Sequence, residues 1–113
     1  GVDVPSSPLT VGSFNIAILV RDSAQAVGSG MEQRDIAIKS GASGATTLVF
    51  SGNKLFMPTR EQNVSESTPS LHDELVTKLN PNQNDVIIVG SGENRELAEI
   101  GAKMAAIKLL KNN

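Results

Sequence analysis

Hydrophobic positions in this chain change their period several times, and each change marks an element. From Phe14 to Asp22 (FNIAILVRD) apolar and partly β-branched residues run almost without interruption, as in a strand. Ser23 and Ala24 turn the chain into a second short strand over Gln25 to Val27, which makes a β-hairpin, and Gly28-Ser29-Gly30 ends it. Apolar residues at 31, 36, 38, 42, 45 and 48 then approximate helical spacing from Met31 to about Leu48. Gly41 and Gly44 each weaken that helix by about 1 kcal/mol relative to alanine. Ser51-Gly52-Asn53 reads as a turn, Leu55 to Pro58 as a strand, and the polar stretch Thr59 to Pro69 as a loop.

The segment Leu71 to Asn80 (LHDELVTKLN) supports two readings. Apolar residues at 71, 75, 76 and 79 suit one face of a short helix, while Leu75, Thr77 and Leu79 alternating with Val76 and Lys78 suit a strand. A following turn (Pro81-Asn82-Gln83-Asn84) and a clear strand (Asp85 to Val89) favour a hairpin of 74–79 with 85–89. Gly90-Ser91-Gly92 closes that strand, and Glu93 to about Lys111 is the most regular helical pattern in the chain, with Leu97, Ile100, Gly101, Met104 and Ile107 in one stripe. Val86, Ile88, Leu97, Ile100, Met104 and Ile107 are therefore the expected core, joined by Ile16 or Ile18. Acidic residues open this helix and lysines close it, as the helix dipole prefers.

These elements give an α+β fold in one domain over 14–113, with residues 1–13 as a linker. The 113 residues suffice for one core and 39% of them are hydrophobic. With three Phe and neither Tyr nor Trp, that core is aliphatic and there is no aromatic platform on which single-stranded bases could stack. A net charge of −2 argues against strong electrostatic capture of nucleic acid. The absence of cysteine excludes disulfides, thiolate metal sites and thiol nucleophiles, and fits an intracellular location without distinguishing nucleus from cytoplasm. The longest apolar run, Ile16 to Val20, is too short to span a bilayer, so no membrane partner is expected.

An internal echo is the strongest pattern. Val27-Gly28-Ser29-Gly30 recurs as Val89-Gly90-Ser91-Gly92, and Glu32 to Ala37 matches Glu93 to Ala98 step for step, so 14–48 and 74–111 read as two copies of one strand–turn–helix unit. Glycines at such a junction permit positive φ and leave N–H groups open to an anion. Neither copy completes G-x-G-x-x-G, since Gln33 or Arg95 holds the third position, and neither carries the Lys-Ser/Thr of a P-loop. A tight turn that packs helix on sheet accounts for each glycine pair as well as a phosphate cradle does.

The second copy resembles the carboxyl end of double-stranded RNA-binding domains, in the form attached to fungal-type ribonuclease III enzymes. Gly90, Gly92, Asn94, Arg95, Ala98, Ala102, Ala106 and Ile107 follow that ending in register, Lys103 replaces the second alanine of its pair, and Pro69 and His72 resemble the family's Pro-x-His element with one extra residue between them. The resemblance implies an α-β-β-β-α module, here preceded by the extra hairpin. It implies a non-catalytic domain of a larger enzyme that needs no cofactor and meets duplex RNA through His72, Gly90, Gly92, Asn94, Arg95 and Lys103. The corresponding residues of the first copy are Gly28, Gly30, Gln33, Arg34 and Lys39. Glu96 and Glu99 stand where the family keeps lysines, so the binding expected is weak, or replaced by protein association, including a homodimer. Asp85 to Leu97 is also similar to a strand–glycine–helix segment in the amino-terminal, non-catalytic domain of leucyl aminopeptidases, which implies an α/β domain with a mixed sheet. A purely structural dimerisation domain is the third reading. His72, the only histidine, has no partner for acid–base catalysis in the sequence, and Asp73-Glu74 and Glu96/Glu99 lack the further ligands of a metal site. No catalytic residue and no metal is expected.

Overall fold

A computed structural model describes residues 1–58 and 62–112, with only the backbone of Gln62. In chain order the elements are β1 (Val2–Val4), β2 (Phe14–Val20), a 3-10 turn (Ala24–Ala26), α1 (Met31–Lys39), β3 (Gly44–Ser51), β4 (Lys54–Met57), β5 (Gln62–Asn63), α2 (Val64–Ser67), α3 (Pro69–Leu79), β6 (Val86–Gly92) and α4 (Arg95–Lys111). The fold is α+β. One six-stranded sheet runs β1-β2-β6-β3-β4-β5, and every pairing in it is antiparallel.

The last strand lies in the middle of the sheet. β6 pairs with β2 on one side, Ile18 opposite Ile88, and with β3 on the other, Thr47 opposite Ile88. All seven of its residues are buried, which is why Val86 to Val89 reads as an unbroken apolar run rather than an alternating one. Ile87 and Val89 join Leu48, Leu55, Val64, Leu71 and Leu75 beneath α2 and α3. Val86 and Ile88 join Val20, Ala105, Ala106 and Leu109 beneath α4. Gln33 of α1 is buried against Thr47, which shares the Ile88 face, so α1 and α4 cover one side of the sheet and α2 and α3 the other.

Several expectations are corrected. Residues 74–79 do not pair with 85–89: Pro69–Leu79 is a helix, so the α-β-β-β-α order is not formed. Pro69 stands in the first turn, where a missing N–H costs nothing, and the helix puts both Leu71 and Leu75 into the core. The mixed sheet of the aminopeptidase-like reading is absent as well. The helix expected to reach Leu48 stops at Lys39, because Gly41 adopts φ +105 and the β-branched run Thr46, Thr47 and Val49 goes into β3. The strand expected over 25–27 is replaced by the 3-10 turn Ala24–Ala26, held by Asn84, whose carbonyl accepts the N–H groups of Ser23 and Ala24. Of the loop expected over 59–69, residues 59–61 lie outside the described residues and Val64–Ser67 is helical.

A further correction concerns α4. Ile100, Met104 and Ile107 are 37%, 36% and 45% exposed, and the buried side is Ala98, Gly101, Ala102, Ala105, Ala106 and Leu109. The glycines of β6 dictate this. A Cβ built on Gly90 would stand 2.3 Å from the Ala98 carbonyl oxygen, and one on Gly92 would stand 2.7 Å from the Ala98 nitrogen. Backbone meets backbone there, and only alanines and a glycine fit between them. The bulky stripe is left outside. Val86, Ile88 and Ile16 are buried as expected.

Candidate functional site

The residues singled out in the sequence do not converge. His72 is only 7% exposed and lies on the α3 side of the sheet, where Nε2 accepts the Leu55 N–H at 3.2 Å. It ties α3 to β4. Gly90 and Gly92 lie under α4 on the opposite side and are strand residues rather than a turn, so neither offers N–H groups to a ligand. Ser91 between them is fully buried and donates to Asn15 Oδ1 at 2.7 Å. Asn94 caps α4, its Oδ1 accepting the Leu97 N–H at 2.8 Å. Arg95 is bound to Asp3 of β1 at 3.0 Å, and that hydrogen bond, with the Asp3 charge, raises the guanidinium pKa further. Lys103 is exposed and pairs with Glu99 at 3.7 Å.

The first copy differs in kind. Gly28 and Gly30 do sit in a turn with positive φ, +60 and +87, and Gly30 caps α1. The echo in sequence is therefore not a duplicated unit, since one glycine pair makes a turn and the other clears space in a strand. Gln33 is buried, with Oε1 near the Thr47 hydroxyl at 3.4 Å and Nε2 without a hydrogen-bond partner among the described residues. Arg34 and Lys39 are exposed, and Arg34 makes a loose 4.0 Å pair with Asp35. A shallow cleft of about 300 Å³ opens beside the turn, lined by Gly30, Met31, Arg34, Thr47, Met57 and Pro58 among others. Among the described residues no group of three or more His, Asp or Glu side chains could hold a metal ion. None of their helices is long and apolar enough to cross a membrane.

What remains is the outer face of α4. Ile100, Met104 and Ile107 recur at spacings of four and three and form one row, with Leu97 half-buried at its start and Leu110, 54% exposed, near its end. The other side of the helix is already occupied by the sheet, and α1 flanks it where Gly101 meets Ala37 and Ala42. Sequence reasoning located this row and assigned it to the core. The signal it underweighted was the second stripe, of alanines, together with two glycines in the strand beneath.

The architecture defines a three-layer α+β module, an antiparallel sheet between helical layers, with an apolar ridge on one outer helix. The chain belongs to the family described as "Domain of unknown function (DUF4443)", whose model matches residues 11–109. Among solved structures it is similar to "Hypothetical protein PH0730 from Pyrococcus horikoshii OT3", with a TM-score of 0.73 and 25% sequence identity. The alignment covers 99% of this chain and 56% of that one, so the chain spans little more than half of its structural relative. No curated protein matches it.

Proposed function

We propose that the chain is a non-catalytic protein-association module that works through the outer face of α4. The observation that carries this is the row Ile100, Met104 and Ile107, more than a third exposed on a helix whose opposite side is filled. Single apolar residues at a surface need no explanation, but a contiguous row of long ones on a regular helix marks a contact face. Such a face recognises a partner by burying apolar area at positions three and four apart.

Methionine oxidation tests the reading, because peroxide reaches thioethers according to their access. Met31, 53% exposed on α1, is an internal reference for Met104, 36% exposed on α4. In cells producing the protein, Met104 is expected to oxidise several-fold more slowly than Met31, and in highly diluted purified protein at a comparable rate. Comparable rates in both settings would remove the proposal.

A further inference from the structure

We infer that the partner of this face is a second copy of the same chain, with the two α4 helices packed antiparallel about a two-fold axis near Lys103. The inference rests on the association reading above and adds the identity and orientation of the partner. Its ground is the distribution of charge beside the apolar row. The amino end of α4 carries Glu93 and Glu96, and the carboxyl end carries Lys111, with Lys108 drawn to Glu32 of α1 at 3.9 Å. Arg95 does not offset the acidic end, since Asp3 holds it through the 3.0 Å contact on the β1 side.

A helix that is acidic at one end and basic at the other complements its own reversed copy. Reversal sets the acidic end of each helix beside the basic end of the other and runs the two helix dipoles head to tail. The apolar row permits this, because Ile100 and Ile107 lie on either side of Met104, so the reversed row again offers branched residues flanking a flexible one. Parallel pairing would set glutamates against glutamates and lysines against lysines. The contact is isologous, with the same patch on both copies, as closed two-fold assemblies require. A single helix pair covers less than the ~1,200 Å² of a standard interface, so the dimer is weak and is sought at protein concentrations on the order of 100 µM.

The test uses sedimentation equilibrium of the full chain at low and high salt, with folding of each variant checked by circular dichroism. The wild type is expected to dimerise, less so at high salt. Glu93→Lys/Glu96→Lys makes α4 basic at both ends, and Lys111→Glu, which spares the Lys108–Glu32 pair, puts an acidic group at its carboxyl end. Each alone is expected to weaken self-association at least tenfold, and their equimolar mixture to form a heterodimer. Since the chain has no cysteine, an introduced one reports orientation. Oxidation should cross-link Lys103→Cys, near the axis, into a covalent dimer, and leave Glu96→Cys mostly uncross-linked. A wild type that stays monomeric overturns the second-copy proposal, and so does efficient cross-linking at position 96 but not at 103. If that monomer still shows Met104 shielded in cells, the association reading survives and only the partner is wrong. If Met104 is unshielded as well, both fall.

Discussion

Asp85 is the ionisable residue most committed to the fold. It is 2% exposed, and its carboxylate accepts the N–H of Asn82 at 2.7 Å, the N–H of Asp22 at 2.9 Å, and Arg21 Nη1 at 2.6 Å. Burial alone would push this carboxyl up, but the two backbone donors and the guanidinium outweigh it and hold the pKa below its ordinary value. A group whose pKa is lower folded than unfolded stabilises the fold above its unfolded value, near 3.9, and loses that contribution as pH falls towards its folded one. Chemical denaturation should therefore show stability that is flat through neutral pH and falls below about pH 4. Asp85→Asn should lower stability at pH 7 by about 1–3 kcal/mol, because it faces the same two N–H donors and the guanidinium with less acceptor capacity and no charge, and should shallow the acid limb. An unchanged acid limb in that variant would assign the acid sensitivity to another carboxylate. Arg21 is more than half exposed, so the ion pair itself adds little and the backbone donors dominate.

At the scale of elements, the junction of β6 and α4 sets the limits on what the sequence could show. Adding one methyl at Gly90 drives it into the backbone of α4, and Gly90→Ala is expected to cost roughly 1–3 kcal/mol or more in urea denaturation. Gly28→Ala is the contrast: nothing lies within 4 Å of its added Cβ, and the cost, about 1–2 kcal/mol, comes from φ +60 alone. Equal and small losses at both positions would mean that the helix can ride up off the strand. The same junction explains which readings held. β2, β4, β6 and α4 were legible because their apolar runs and caps are local, and Ser51-Gly52-Asn53 because Gly52 and Asn53 both take positive φ in the hairpin turn. The buried face of α4 was not legible, because burial there is decided by glycines on another element. Nor was α3, whose short amphipathic pattern fits either period until Leu71 and Leu75 find the underside of the sheet. The candidate site was half legible: the row on α4 stood out in the sequence, but the side it faces depends on the strand beneath.

For the whole molecule, charge and placement bear on the nucleic-acid expectation. His72 is buried on one side of the sheet, the second glycine pair is covered on the other, and Arg95 and Lys103 are paired with Asp3 and Glu99. The net charge of −2 argues against strong electrostatic capture of a duplex backbone. Titration with duplex RNA of about 16 base pairs at two salt concentrations is expected to show no steep salt-dependent binding. Tight binding with a slope of several counterions would reinstate the RNA reading in spite of this arrangement. The same layered architecture hides the first sheet face under α2 and α3 and the second under α1 and α4, and leaves the apolar row on the outer side of α4 exposed.

Placing the last strand in the centre of the sheet also governs how the molecule comes into being. β2 and β3 do not touch until β6 slides between them, so during synthesis the ribosome releases both with open hydrogen-bonding edges and nothing to hold them side by side. The sheet closes only when β6, residues 86–92, has emerged, and that closure joins positions far apart along the chain, the kind of contact that folds slowly. Until then the nascent chain offers two apolar edges to any neighbouring strand, and its protection from misassembly depends on how soon β6 arrives.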